Sequence, residues 1–80
     1  MKLQRFQADL YYVSDSNGIV VADALPVDAS NVDVAAEIAR SWVRDLMLER
    51  PVRATAVRIR LGRAVVLDQA LNEFLAQPTG

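Results

Sequence analysis

The sequence predicts an α+β fold: an antiparallel sheet of three to four strands with one long helix packed across a face, in the order ββαββα or, alternatively, ββαβα. Three observations predict it. Residues Asn31 to Arg50 (NVDVAAEIARSWVRDLMLER) carry a helical period. At 100° per residue, Val32, Ala35, Ala36, Ala39, Trp42, Val43, Leu46 and Met47 fall in one apolar arc that must be buried. Residues Arg5 to Val13 (RFQADLYYV) instead alternate with period two and run into a cluster of turn formers. After the helix, Val52 to Leu61 (VRATAVRIRL) returns to a strand pattern, so one sheet laid against one helix is the simplest architecture.

In the first strand Phe6, Ala8, Leu10 and Tyr12 lie on one side and Arg5, Gln7 and Asp9 on the other, as in a strand with one wet face. The alternation lapses at its end, where Tyr11 and Val13 join the polar side. Ser14 to Gly18 (SDSNG) then reverses the chain, with Asn17-Gly18 suited to the positive φ of a hairpin turn. A calcium loop is excluded, because the glycine comes too early and Pro26 stands where the closing glutamate belongs.

Ile19 to Leu25 (IVVADAL) is the return strand, and Pro26 makes it an edge strand or ends it. Asp28, Ser30 and Asn31 compete as helix N-cap, and Ser30 with Asp33 approximates a capping box. Arg50-Pro51 ends the helix, since the residue before proline disfavours helical geometry. Asp33, Glu37, Arg40 and Arg44 form a charged, solvated side. A further strip of Val34, Ile38, Ser41, Asp45 and Leu48 faces away from the core arc and includes three apolar residues the core does not explain.

In the third strand Val57, Ile59 and Leu61 face one way and Arg58 and Arg60 the other. Gly62-Arg63 can form a two-residue type II′ turn into a fourth strand, Ala64 to Leu67, after which Asp68 would cap a short helix. Ala64, Leu67, Leu71, Phe74 and Leu75 also fit a single helix over residues 63–77. That alternative leaves Val65 and Val66 outside the apolar arc, so strand plus short helix is favoured.

Composition narrows function more than any motif does. Eighty residues make one small domain with a marginal core, which dimerisation would help. With no cysteine and no histidine, disulfides, thiol catalysis and the commonest neutral-pH base and metal ligand are all removed. No transmembrane run or signal-peptide block is present, so a cytoplasmic location is expected. The serines have turn, cap or surface roles and no partner base, the glycines form no phosphate loop, and no carboxylate pair shares a concave surface. No cofactor or metal is expected, and a small enzyme is left only as a distant alternative.

Two binding classes remain. Arg50, Arg53, Arg58, Arg60 and Arg63 fall in an acid-free stretch, and a basic strand face beside Tyr11 could follow a phosphate backbone and stack a base. Against a nucleic acid stand the net charge of −1 and the lack of a recognition motif. The alternative is protein binding: one helix covers one face of a sheet, while Tyr11, Val13, one parity of Ile19 to Leu25 and Val66 leave apolar groups on the other.

The alternating YYV strand, the SNG turn and the AAEIA helix start, over about residues 6 to 60, resemble in outline the domain of HicB-type antitoxins and other small bacterial or phage α+β proteins. The DNA-binding extension of many such antitoxins has no counterpart in this sequence, and no functional residue transfers. The resemblance implies a protein that binds and blocks another protein.

The expectation is therefore a non-catalytic protein-binding module: a small inhibitor, antitoxin-like factor or adaptor, with a homodimer possible and no membrane association. Its candidate contact residues are Tyr11, Val34, Ile38, Leu48, Arg53, Arg58, Arg60 and Arg63.

Overall fold

A computed structural model describes residues 2–77. Its elements run β1 (Gln4–Val13), β2 (Ile19–Ala29), α1 (Val32–Glu49), β3 (Ala56–Leu61), β4 (Ala64–Ala70) and α2 (Leu71–Ala76), the ββαββα order. The four strands form one antiparallel sheet in the spatial order β2-β1-β3-β4. β2 and β3 flank β1 and run parallel to each other, so α1 carries the chain over β1 from one side to the other.

One face of the sheet makes the core. Phe6, Ala8 and Leu10 of β1, Val27 and Ala29 of β2, and Val57 and Ile59 of β3 meet Ala35, Ala36, Ala39 and Val43 of α1 and Phe74 of α2. Three alanines on the buried side of α1 let its backbone lie close to the sheet, and Leu10, Ile59 and Phe74 fill the volume between. Met47 departs from the predicted arc: it is half exposed, one turn beyond Arg44, the last α1 residue hydrogen-bonded to α2.

The turns follow local chemistry. Asn17, at φ 64°, supplies the left-handed residue of the first hairpin, and Ser14 closes it through backbone bonds to Gly18 and Asn17. Gly62, at φ +62°, sits first in the two-residue β3–β4 turn, as a type II′ turn requires. Among the three cap candidates Asn31 is the one used: its side-chain oxygen accepts from the Val34 N–H at 3.0 Å.

Four expectations need correction. The return strand runs past Leu25 to Ala29: of the two readings of Pro26 the edge strand holds, and the missing N–H is needed by no neighbour. β3 begins at Ala56; before it, the Thr55 N–H bonds the Tyr11 carbonyl and the Thr55 carbonyl receives the Leu71 N–H, tying the connector to β1 on one side and to the start of α2 on the other. Asp68 is no helix cap, since β4 runs on to Ala70 and the carboxylate is taken by Tyr11.

Arg40 is the fourth. Placed on the solvated side from sequence, it is only 5% exposed: its Nε donates to the Phe74 carbonyl at 2.7 Å and its guanidinium lies 4.6 Å from the Phe74 ring centre. Arg44 donates to the Leu75 carbonyl at 2.6 Å. α2 has no side-chain N-cap; its buried Phe74 ring and the two arginines of α1 bonded to its C-terminal carbonyls hold it.

Candidate interaction face

Because α2 packs beside α1, both helices occupy the same side of the sheet, and no described element lies over the other side. Cross-strand register defines what that bare face carries. One row across β2-β1-β3-β4 reads Ala24, Asp9, Arg58, Asp68; the next reads Pro26, Gln7, Arg60, Val65. Tyr11 stands between Val21 and Ala56 in the row beyond.

Asp9 sits at the centre and is 0% exposed, although sequence alternation assigns it to the wet face. Its Oδ1 accepts from Gln7 Nε2 at 2.9 Å. Its Oδ2 accepts from Arg60 Nε at 2.9 Å and from Arg58 Nε and Nη2 at 3.3 and 3.2 Å. The stems of both arginines and the Gln7 amide roof the carboxylate, so polar side chains do the burying that a helix does on the other face. A desolvated carboxylate of this kind persists because each of its oxygens is bonded.

Tyr11 joins the same cluster. Its hydroxyl donates to Asp68 Oδ1 at 2.5 Å, and the Arg58 guanidinium lies 5.3 Å from its ring centre. The bond to Asp68, helped by burial and by the nearby negative charge, raises the Tyr11 pKa above the ordinary value, with Arg58 opposing. A phenol held in its protonated form is the opposite of an activated nucleophile or base.

Around this polar centre lie exposed apolar groups. Val13 and Ile19 are register partners at the hairpin end and are 56% and 53% exposed, with Val21 beside them; Val65 is exposed at the opposite corner. Two irregularities shape the edges, since Ala22 and Val66 are each an extra residue in their ladders.

The candidate residues thus separate into groups. Tyr11, Arg58 and Arg60 form one cluster, with Tyr11 buried under Arg58 and so not an open stacking surface. Arg63 is exposed in the β3–β4 turn, and Arg53 is exposed on the connector with its guanidinium 4.5 Å from the Tyr12 ring centre. Val34, Ile38 and Leu48 lie on the outward side of α1, on the far surface of the molecule, with Leu48 87% exposed. Gln7, Asp9 and Asp68 are not among the candidate contact residues of the sequence; the available signal is an acid in mid-strand β1 matching the arginine parity of β3.

Among the described residues, the shallow grooves include two beside the candidate residues. One, of about 250 Å³, opens on the bare face between Arg5, Gln7, Pro26, Arg60 and Gly62. The other, of about 330 Å³, lies where α1 meets β4, between Asp33, Glu37, Arg40 and Gln69. Among the described residues no group of three or more acidic side chains is placed to hold a metal ion, and no helix is long and apolar enough to cross a membrane. Compared with known proteins, the chain matches no family model, no curated protein and no solved structure.

Proposed function

We propose that this chain is a non-catalytic protein-binding module whose contact surface is the bare face of its sheet. The observation that carries the reading is the placement of both helices on one side, which leaves Val13, Ile19, Val21 and Val65 exposed on the other. Protein contacts centre on apolar groups and keep polar ones at the rim, so on this reading the contact centres on Val13, Ile19 and Val21 at the hairpin end, with the Asp9 cluster on its border. The outline resemblance to HicB-type antitoxin domains supports the same class, an inhibitor or adaptor that acts by touching another protein. Nucleic-acid binding is the weaker reading, because Arg58 and Arg60 spend their Nε groups on Asp9 and Tyr11 is covered.

The test is affinity capture with in-cell crosslinking, comparing the unmodified chain with an Ile19→Ser, Val21→Ser variant and with Leu48→Ser on α1. The face variant should lose its partner while Leu48→Ser keeps it. A partner that survives the face variant and is lost with Leu48→Ser would assign binding to the outer strip of α1 instead. Light scattering of the same proteins distinguishes a second copy of the chain from a different protein.

A further inference from the structure

The loop between β1 and β2 puts its glycine where the backbone has no need of one. The Ser14 carbonyl accepts the Asn17 N–H at 2.9 Å, and the Ser14 N–H closes the loop on the Gly18 carbonyl at 2.8 Å. A turn of this kind followed by one left-handed residue is a common hairpin loop, and glycine suits the left-handed place best. Here Asn17 holds that place, at φ 64°, and the glycine comes one position later. Gly18 is not left-handed, and a Cβ on it would meet only Ser14 Oγ, at an ordinary 3.5 Å. The fold would accept a side chain at position 18.

What the order Asn17-Gly18 allows is a reaction of the chain with itself. The Gly18 nitrogen and the side-chain carbonyl carbon of Asn17 are placed by covalent connection to close a five-membered ring, and no side chain on Gly18 obstructs the approach. Asn17 is exposed, and among the described residues its side-chain amide makes no hydrogen bond. The other two asparagines are held. Asn31 Oδ1 accepts from the Val34 N–H at 3.0 Å, and the residue after it is the β-branched Val32. Asn72 lies in α2, where its Oδ1 accepts from the Glu73 N–H at 3.0 Å.

We propose that Asn17 is a self-modifying site, converted by attack of the Gly18 nitrogen into aspartate or isoaspartate, with Ser14 restraining the rate. The Gly18 nitrogen gives its proton to hydroxide and bonds to Asn17 Cγ; the Cγ–Nδ2 bond breaks, and that nitrogen leaves as ammonia after taking a proton from water. Water then opens the succinimide ring. If the bond from the ring nitrogen to Cγ breaks, the product is aspartate; if the bond to the main-chain carbonyl carbon breaks, it is isoaspartate, with the backbone rerouted through the former side chain. One water is consumed and one ammonia released, with no change of oxidation state. Either product adds a negative charge beside Asp15, and isoaspartate also lengthens the loop by one backbone atom next to the Val13 and Ile19 pair that ends the ladder.

The restraint is local. To reach Cγ, the Gly18 nitrogen must swing out of the turn, and its N–H is donated to Ser14 Oγ at 3.2 Å. Together with the two backbone bonds of Ser14, this bond holds the loop closed, and it lies at the surface, where opening costs little. Ser14 therefore slows the ring closure without preventing it. The reaction needs no partner, so it stands or falls apart from the reading of the bare face.

The experiment ages the full chain at neutral and at mildly alkaline pH beside Gly18→Ala and Ser14→Ala. Tandem mass spectrometry of proteolytic peptides follows the conversion of amide to acid at each asparagine, and enzymatic methylation detects isoaspartate. Asn17 should convert severalfold faster than Asn31 or Asn72, faster at the higher pH because the attacking nitrogen must lose its proton, and isoaspartate should appear with the acid. Gly18→Ala, whose Cβ the turn accommodates, should slow the conversion severalfold while the amide spectrum shows the fold intact. Ser14→Ala, which removes the bond to the Gly18 N–H, should speed it severalfold. Conversion no faster at Asn17 than at Asn31 and Asn72 overturns the proposal, as does acid without isoaspartate or a rate that Gly18→Ala leaves unchanged. A rate that Ser14→Ala leaves unchanged overturns the restraint assigned to Ser14.

Discussion

Asp9 decides whether the bare face is ordered. Removing it leaves two guanidinium groups, 17% and 33% exposed, without the carboxylate they share, and breaking a buried pair from one side costs about 3–5 kcal/mol. Asp9→Ala should therefore lower stability by about 3 kcal/mol, read as a drop in urea midpoint at unchanged slope. Tyr11 gives a pH signature with a definite sign. Its folded pKa is raised, so the folded state holds the phenolic proton after the unfolded chain has released it near about pH 10. The stabilisation is complete below that pH and is lost as pH climbs through the raised folded value. Urea midpoints measured from pH 8 to 11 should fall more steeply for the unmodified chain than for Tyr11→Phe. None of these pairings was legible in the sequence, because Asp9 meets arginines 49 and 51 positions away and Tyr11 meets Asp68 57 positions away. Alternation says which side of a strand a residue takes; only register says what stands opposite.

At the level of elements, the sequence was informative wherever a pattern was local. The Phe6, Ala8, Leu10 parity, the Asn31 to Arg50 period and the Gly62-Arg63 turn each rest on spacings within one element, and each appears in the fold. Strand plus short helix, the favoured reading of the last segment, also appears as β4 and α2, but nothing local shows how that uncapped helix is held by the arginines of α1. Arg40 reads as one more charge on an amphipathic helix until the Phe74 carbonyl, 34 positions on, is brought against it. Replacing it should free the short helix before it unfolds the domain. Arg40→Met keeps a comparable apolar stem and removes the charged donor, with an expected cost of about 1.5–3 kcal/mol. Hydrogen exchange at the amides of Phe74 and Leu75 should speed up more than at Leu10 and Ile59, which lie in the centre of the sheet. Equal acceleration everywhere would mean that α2 belongs to the same cooperative unit as the sheet.

The whole molecule measures 42 × 28 × 19 Å, its thinnest dimension matching one sheet and one layer of helix. Two layers give a core on one face only, so a third layer is the natural place for a partner, and the fold supplies its surface without altering its core. What the sequence identified was the need for such a cover; the charged roof over Asp9, which adds to the case against a nucleic acid already made by the net charge, emerged only from the assembled sheet. The crossover from β2 to β3 has one more consequence, for the order in which the chain can assemble. β1 and β2 are joined by a short turn and can zip together as soon as both exist. β3, β1's other neighbour, follows only after α1, so during synthesis β1 has an unpaired edge and Asp9 has no arginine until residues 58 and 60 have emerged. The emerging hairpin is thus a two-stranded ribbon with an open backbone edge, the form most prone to pairing with a neighbouring chain, and the arginines of β3 arrive late to close it.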